Sequence, residues 1–230
     1  MIRLSLIIPA AGSGVRLGMK TPKPFIELGG RTILQHTIDK FIDIPELGQL
    51  LIVASAQNID RVKSLVSDHD RSDVDISVVE GGDERQDSIS NALKFVDKRC
   101  DLVAIHDAVR PFIEKNVVEE CISKAMKYGA AIPGIPVKDT VKVLNDEQLV
   151  ESTPDRSSLW QIQTPQIFKR QILFDAYDHA KNAGFTGTDD SSLVENLGIK
   201  VHVVKSSYEN FKITYPIDLK LAELKVGGEL

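Results

Sequence analysis

The sequence predicts an α/β fold, a three-layer and mostly parallel sheet with helices on both faces and a projecting β-hairpin arm. Three observations lead there. Short apolar runs recur at 4–8, 50–54, 74–79 and 102–105, and most of the segments between them carry apolar residues at helical spacing. The runs are nearly continuous, which suits strands covered on both faces, as in a parallel sheet. The rhythm then breaks at 136–153, where two extended stretches flank the turn-forming Asn145-Asp146. A chain of 230 residues, 42% hydrophobic, can bury a large core, and one domain over 1–230 with an arm at about 136–155 is expected.

In chain order, Leu4-Ser-Leu-Ile-Ile8 is the first buried strand, and Pro9 ends it because proline cannot donate to a ladder. Glycines at 12, 14 and 18 allow a loop that turns several N–H groups toward one point, an anion cradle. Arg16 lies inside that loop, and Lys23 follows between Pro22 and Pro24. Backbone donors, a guanidinium and an ammonium are what a triphosphate needs. The same residues also fit a plain strand-to-helix turn with surface charges. Spacing excludes a P-loop, and Leu17 stands where a dinucleotide fingerprint requires glycine.

Thr32-Ile-Leu-Gln35 has the form of a capping box, and Ile33, Leu34, Ile38, Phe41 and Ile42 share one helical face. A strand at 50–54, a helix at 58–66 and a third strand at 74–79 follow. Gly81-Gly82 ends that strand, and Asp83 is expected to cap a helix with Ile89, Ala92, Leu93 and Val96 inward. In open α/β sheets ligands bind outside the carboxyl ends of the strands, so the loops after the first and third strands should share one crevice.

The fourth strand, 102–105, runs into His106-Asp-Ala-Val-Arg-Pro111. A carboxylate at the end of a buried strand can hold a hard cation, which makes Asp107 the metal candidate, and Arg110 could meet a phosphate. As an alternative, Asp107 caps the helix beginning near Glu114 and Arg110 pairs with a nearby acid. That helix runs to Tyr128 and a strand follows at 129–133. An isolated two-stranded ribbon is marginal in water, so the hairpin after 136 should pack on something, a second subunit being the obvious candidate. Helices at about 172–180 and 188–197, strands at 200–204 and 210–214, and a helix starting at Pro216 complete the chain. Lys212 alternates with Phe211 and Ile213 and so points away from them, into solvent or the crevice.

A formal charge of −5 gives no footprint for nucleic acid. Cys100 and Cys121 lack metal-ligand spacing. No run approaches membrane-spanning length, and the opening residues lead into a strand instead of a charged leader, so a reduced, cytoplasmic setting off the membrane is expected.

Seven motifs in order, Pro-Ala-Ala-Gly-Ser-Gly-Val-Arg with Pro-Lys-Pro (9–24), Gly-Gly-Asp-Glu-Arg-Gln-Asp-Ser (81–88), His-Asp-Ala-Val-Arg-Pro (106–111), Val-Lys-Asp-Thr (137–140), Asp155-Arg156, Gln-Thr-Pro-Gln (163–166) and Phe-Lys-Ile-Thr (211–214), span essentially the whole chain. Together they resemble the 2-C-methyl-D-erythritol 4-phosphate cytidylyltransferase family. The resemblance implies a Rossmann-like nucleotidyltransferase that joins CTP and methylerythritol phosphate, releases pyrophosphate, requires Mg²⁺ and works as a homodimer with arms crossing between subunits. It assigns Arg16, Lys23, Arg156 and Lys212 to catalysis. Ala10, Ala11, Gly12, Ser13, Gly14, Gly82, Asp83 and Ser88 would hold cytidine, and Asp107, Arg110, Thr140 and Thr164 would line the substrate pocket. The family often has alanine where Val109 stands and a second basic residue where Val15 stands, the latter removing one phosphate contact. A ribitol 5-phosphate cytidylyltransferase of the same fold, or a non-catalytic nucleotide binder, are the competing readings.

Overall fold

The computed structural model describes residues 2–12, 21–67 and 71–229. The first half holds β1 (Leu4–Pro9), the short β2 (Glu27–Leu28) and β3 (Arg31–Thr32), α1 (Ile33–Ile42), β4 (Leu47–Ala54), α2 (Ile59–Val66), β5 (Asp75–Glu80), α3 (Arg85–Leu93) and β6 (Leu102–Ile105). The second half continues with α4 (Lys115–Tyr128), β7 (Ala130–Pro136), β8 (Val143–Leu144), β9 (Val150–Ser152), β10 (Trp160–Ile162) and β11 (Gln166–Lys169). It closes with α5 (Arg170–Ala183), α6 (Asp190–Asn196), β12 (His202–Lys205) and α7 (Pro216–Gly227).

The central sheet has the order β10-β7-β11-β6-β1-β4-β5, with β12 also paired to β7. β1, β4, β5 and β6 pair in parallel, as does β12 with β7. β11 runs antiparallel to both β6 and β7, and β10 antiparallel to β7. The alternation of strand side chains makes the three layers. Leu4, Leu6 and Ile8 point into a core shared with α1, α2 and α4, while Ile7 points the other way, into a core with α3, α5 and α6. A third, smaller core joins Ile26, Leu28, Val109, Phe112 and Ile213 to Ala222 of α7.

Local chemistry sets the element ends. The capping box at α1 forms as its residues suggest, Gln35 N–H donating to Thr32 Oγ1 at 3.3 Å and Thr32 N–H to Gln35 Oε1 at 2.9 Å. α4 stops at Gly129, whose φ of 101° few side chains tolerate.

Four expectations are corrected. Asp83 is not the cap of α3; the helix begins one residue later, with Glu84 at the cap and its N–H donating to Asp87 at 3.3 Å. Residues 210–214 form no strand, because their donors go elsewhere than to a ladder. β4 starts at Leu47, before the predicted run, since Gly48 and Gln49 are buried in the sheet without being apolar. β10 and β11 occupy a stretch that the apolar pattern left unassigned.

Direction matters most for the site. The parallel strands β1, β4, β5 and β6 all end at one edge of the sheet, and β7 and β12 end there too. β11 runs the other way, so its beginning, after Thr164, lies at that same edge. Pairing continues past the strand ends: Ala10 N–H donates to Val53 O at 2.7 Å, Gly81 N–H to Ala54 O at 2.9 Å and His106 N–H to Ile7 O at 3.0 Å. The loops that follow are therefore launched from a rigid base.

Candidate active site

A cavity of about 570 Å³ opens at that carboxyl edge. Ala10, Ala11 and Gly12 form one wall, and Gly82, Asp83 and Ser88 face it from the start of α3. Lys23, Asp107, Lys212 and Arg85 bring charge to the lining. The two loops touch where glycine is needed: a Cβ on Gly81 would lie 2.9 Å from both Ala11 Cβ and Ser88 Oγ, and one on Gly82 only 2.5 Å from Asp87 Cβ. Ser88 Oγ accepts from Gly82 N–H at 3.0 Å, which closes the second loop on itself.

Asp107 is the electrostatic centre. Its Oδ2 meets Lys212 Nζ at 3.0 Å and Arg110 Nε at 3.2 Å, and Oδ1 lies 3.9 Å from Arg85 Nε. Burial alone would raise the carboxyl, but the charges of Lys212, Arg110 and Arg85 outweigh it and hold the group well below the ordinary carboxylate range. Arg110 also donates to Asn210 O at 2.8 Å, so its guanidinium is committed to holding Asp107 and the 210 segment. Thr164 stands behind Asp107, accepting its N–H at 3.0 Å. Both were expected in the pocket lining; they form its support instead.

His106, buried beside Phe41, completes that support. Its Nε2 lies 3.0 Å from Arg110 O, a group that only accepts, so Nε2 carries the proton and Nδ1 accepts from Thr164 Oγ1 at 3.1 Å. Burial pulls the imidazole down to about 4, so it is neutral near pH 7.

Lys23 sits in a 3-10 turn, Lys23–Phe25, that is closed by Pro22 O accepting from Phe25 N–H at 3.0 Å. The residue is buried, and Nζ donates to Thr214 O at 2.7 Å. Arg85 is half in the cavity and half behind it, donating to the buried Asp190 Oδ2 at 2.6 Å, whose Oδ1 accepts from Tyr177 at 2.6 Å. Burial opposes the Arg85 charge, but Asp190 and Asp107 more than restore it. Spacing alone did not mark Asp190, Tyr177 or Asn210, because each meets the site from a remote part of the chain.

Ser13, Gly14 and Arg16 lie outside the described residues. Thr140 and Arg156 are exposed and belong to the segment around β8 and β9, away from the cavity wall, Arg156 Nη1 donating to Lys138 O at 2.6 Å.

Gly12, Gly82 and cations clustered around Asp107 at the carboxyl edge of a mainly parallel sheet mark phosphate-transfer chemistry, and they place the chain among α/β nucleotidyltransferases. Comparison with known proteins narrows the class. The family profile for 2-C-methyl-D-erythritol 4-phosphate cytidylyltransferase matches residues 4–227, and the chain belongs to that family. The enzyme of that name from Caldanaerobacter subterraneus subsp. tengcongensis is 40% identical over 223 residues, 97% of this chain and 98% of the relative. That from Clostridioides difficile is 42% identical over 220 residues, 95% and 92% of the two chains. The crystal structure of 4-diphosphocytidyl-2C-methyl-D-erythritol synthase from Anaerococcus prevotii superimposes with a TM-score of 0.88 at 34% identity, over 98% of this chain and 96% of that one. The Thermus thermophilus cytidylyltransferase gives 0.80 at 31% identity, over 98% and 100%.

Proposed function

We propose that this chain transfers the cytidylyl group of CTP to 2-C-methyl-D-erythritol 4-phosphate, in non-mevalonate isoprenoid synthesis. The observation that carries the reading is the meeting of Lys23, Lys212 and Asp107 with residues 10–12 and Gly82 in one cavity. A phosphate oxygen of the acceptor attacks the α-phosphorus of CTP, the bond from that phosphorus to the bridging oxygen breaks, and pyrophosphate leaves. An ionised phosphate needs no general base, so the protein's part is to position both partners and neutralise spreading charge. Lys23 serves the α-phosphate, a role given by the family resemblance to Arg16 as well, and Lys212 the acceptor phosphate. Asp107 keeps Lys212 pointed inward at 3.0 Å.

Mg²⁺ would be held at this site jointly by Asp107 and the substrate phosphates. Among the described residues no group of three or more His, Cys, Asp or Glu side chains is arranged to hold a metal ion. Asp107 Oδ1, whose one ion pair among the described residues is with Arg85 at 3.9 Å, suits a cation that takes its remaining ligands from substrate phosphates and water. Bound there, Mg²⁺ would withdraw charge from the phosphate oxygens.

The reading includes a homodimer. Leu144 and Val150 of the small β8–β9 ladder are 51% and 58% exposed, and such a ribbon needs a partner to cover it. A crossing arm would bring Thr140 and Arg156 to the second subunit's cavity. A cytoplasmic setting accords with two buried free cysteines, and no described helix is long and apolar enough to cross a membrane.

Pyrophosphate release from CTP and Mg²⁺ tests the function, with methylerythritol phosphate and ribitol 5-phosphate compared side by side. Turnover is expected with the first; faster turnover of the second would replace the substrate assignment. Gly82→Ala should raise the Kd for CTP by about tenfold, or ~1.4 kcal/mol, because the new methyl must displace the Asp87 turn. Calorimetric titration reads it, and an unchanged Kd would remove this loop from the nucleotide site.

A further inference from the structure

We propose that Asp218 is a positioning residue for the transfer, acting on Lys23 and Lys212 through the peptide segment between Phe211 and Tyr215. The inference rests on the cytidylyltransferase reading of the cavity. That segment belongs to no strand or helix, so something other than a ladder must fix it. Ile213 N–H donates to Val109 O at 3.0 Å. The next two donors, Thr214 N–H and Tyr215 N–H, converge on a single atom, Asp218 Oδ2, at 2.9 and 2.7 Å. Asp218 lies in the first turn of α7, where unpaired N–H groups favour a negative charge and the helix holds the side chain in place.

The segment so fixed meets the ammonium of Lys23 and the backbone of Lys212, two of the cavity's basic residues. Thr214 O accepts from Lys23 Nζ at 2.7 Å. Thr214 Oγ1 donates to Lys212 O at 3.2 Å, and Lys212 Nζ reaches Asp107 Oδ2 at 3.0 Å. Rotation of the Thr214 or Tyr215 peptide would therefore swing the acceptor of one cation and the backbone of the other together. Asp218 opposes that rotation without touching the cavity, whose lining does not include it. Misplacement of reacting groups by about 1 Å can cost about 10²-fold in rate, so the carboxylate should be visible in kcat.

The test is steady-state pyrophosphate release from CTP and methylerythritol phosphate by the full chain, with urea unfolding run beside it. Asp218→Ala should lower kcat by about 10- to 100-fold, with a smaller change in the KM for CTP. Asp218→Glu keeps the charge at the helix start but moves the acceptor by one methylene; it should unfold like wild type and still lose about tenfold in kcat. Should the alanine variant not fold, the glutamate variant decides. Combined with Lys23→Ala, the loss from either variant should be less than the product of the separate losses, because both act on one group. Folded Asp218 variants within about twofold of wild-type kcat, or losses that multiply in full, overturn the positioning role alone. A wild-type chain that releases no pyrophosphate overturns the functional reading as well.

Discussion

Lys23→Ala should lower kcat for pyrophosphate release by about 10²- to 10³-fold while leaving the fold intact, a loss of roughly 2.7–4 kcal/mol of transition-state stabilisation. The magnitude follows from where the ammonium sits. Lys23 is buried at the cavity wall, with Nζ held by Thr214 O at 2.7 Å, so its charge acts where water screens it little. It is set by the Lys23–Phe25 turn, with Pro22 before it and Pro24 within it, and Phe25 is buried with Arg61 stacked 4.4 Å from its ring centroid. Truncation leaves that anchor in place, which is why the unfolding midpoint should hardly move. Lys23→Arg keeps the charge but not the compact donor, and it should restore only part of the rate. A folded Lys23→Ala enzyme with near-normal kcat would remove the residue from catalysis.

The second large effect is expected at Asp107. Asp107→Asn keeps the shape and removes the carboxylate that pairs with Lys212 and Arg110 and faces Arg85, which keeps Asp190. Breaking a buried charge cluster in this way typically costs about 3–5 kcal/mol, since the remaining cations stay desolvated. Arg110 has Asn210 O as a second partner and Lys212 is partly exposed, so a value near the lower end, about 3 kcal/mol, is expected in urea unfolding at pH 7. Turnover should fall by at least about 10²-fold, because Lys212 loses its guide. The pH dependence separates Asp107 from its neighbour. Its folded-state pKa lies below the unfolded value of about 3.9, so its contribution is complete above that pH and fades as pH falls further. His106 acts earlier. Its folded value of about 4 lies below the ordinary 6.5, so the unfolded chain binds the extra proton and stability declines from about pH 6.5 downward. The stability gap between wild type and Asp107→Asn should therefore stay constant from pH 7 to about 5 and close only below about 4. A gap that closes above pH 5 would contradict the assignment.

The strands that define the fold were legible because burial on both faces leaves an unbroken apolar run, as in β1 and β6. The four parallel strands then fix which loops share an edge, so strand order and direction alone bring Ala10, Gly82 and Asp107 near one another. β10 and β11 were not legible: β10 is largely exposed at a sheet edge, and β11 holds only Ile167 and Phe168 as apolar residues. The alternation at 211–213 was misread as a strand, yet it placed Lys212 correctly opposite the buried Ile213. What the sequence could not show is the network behind the cavity. Arg85–Asp190 spans 105 positions and Arg110–Asn210 spans 100, and no local period encodes such pairs.

The most direct measurement is a crystal structure of the full chain with CTP bound. The triphosphate should lie between Ala10–Gly12 and Gly82–Ser88, with Lys23 in hydrogen-bond reach of the α-phosphate and Lys212 facing the open side of that phosphorus. A nucleotide seated in another cavity, or one whose phosphates lie out of reach of both lysines, would contradict the proposed chemistry.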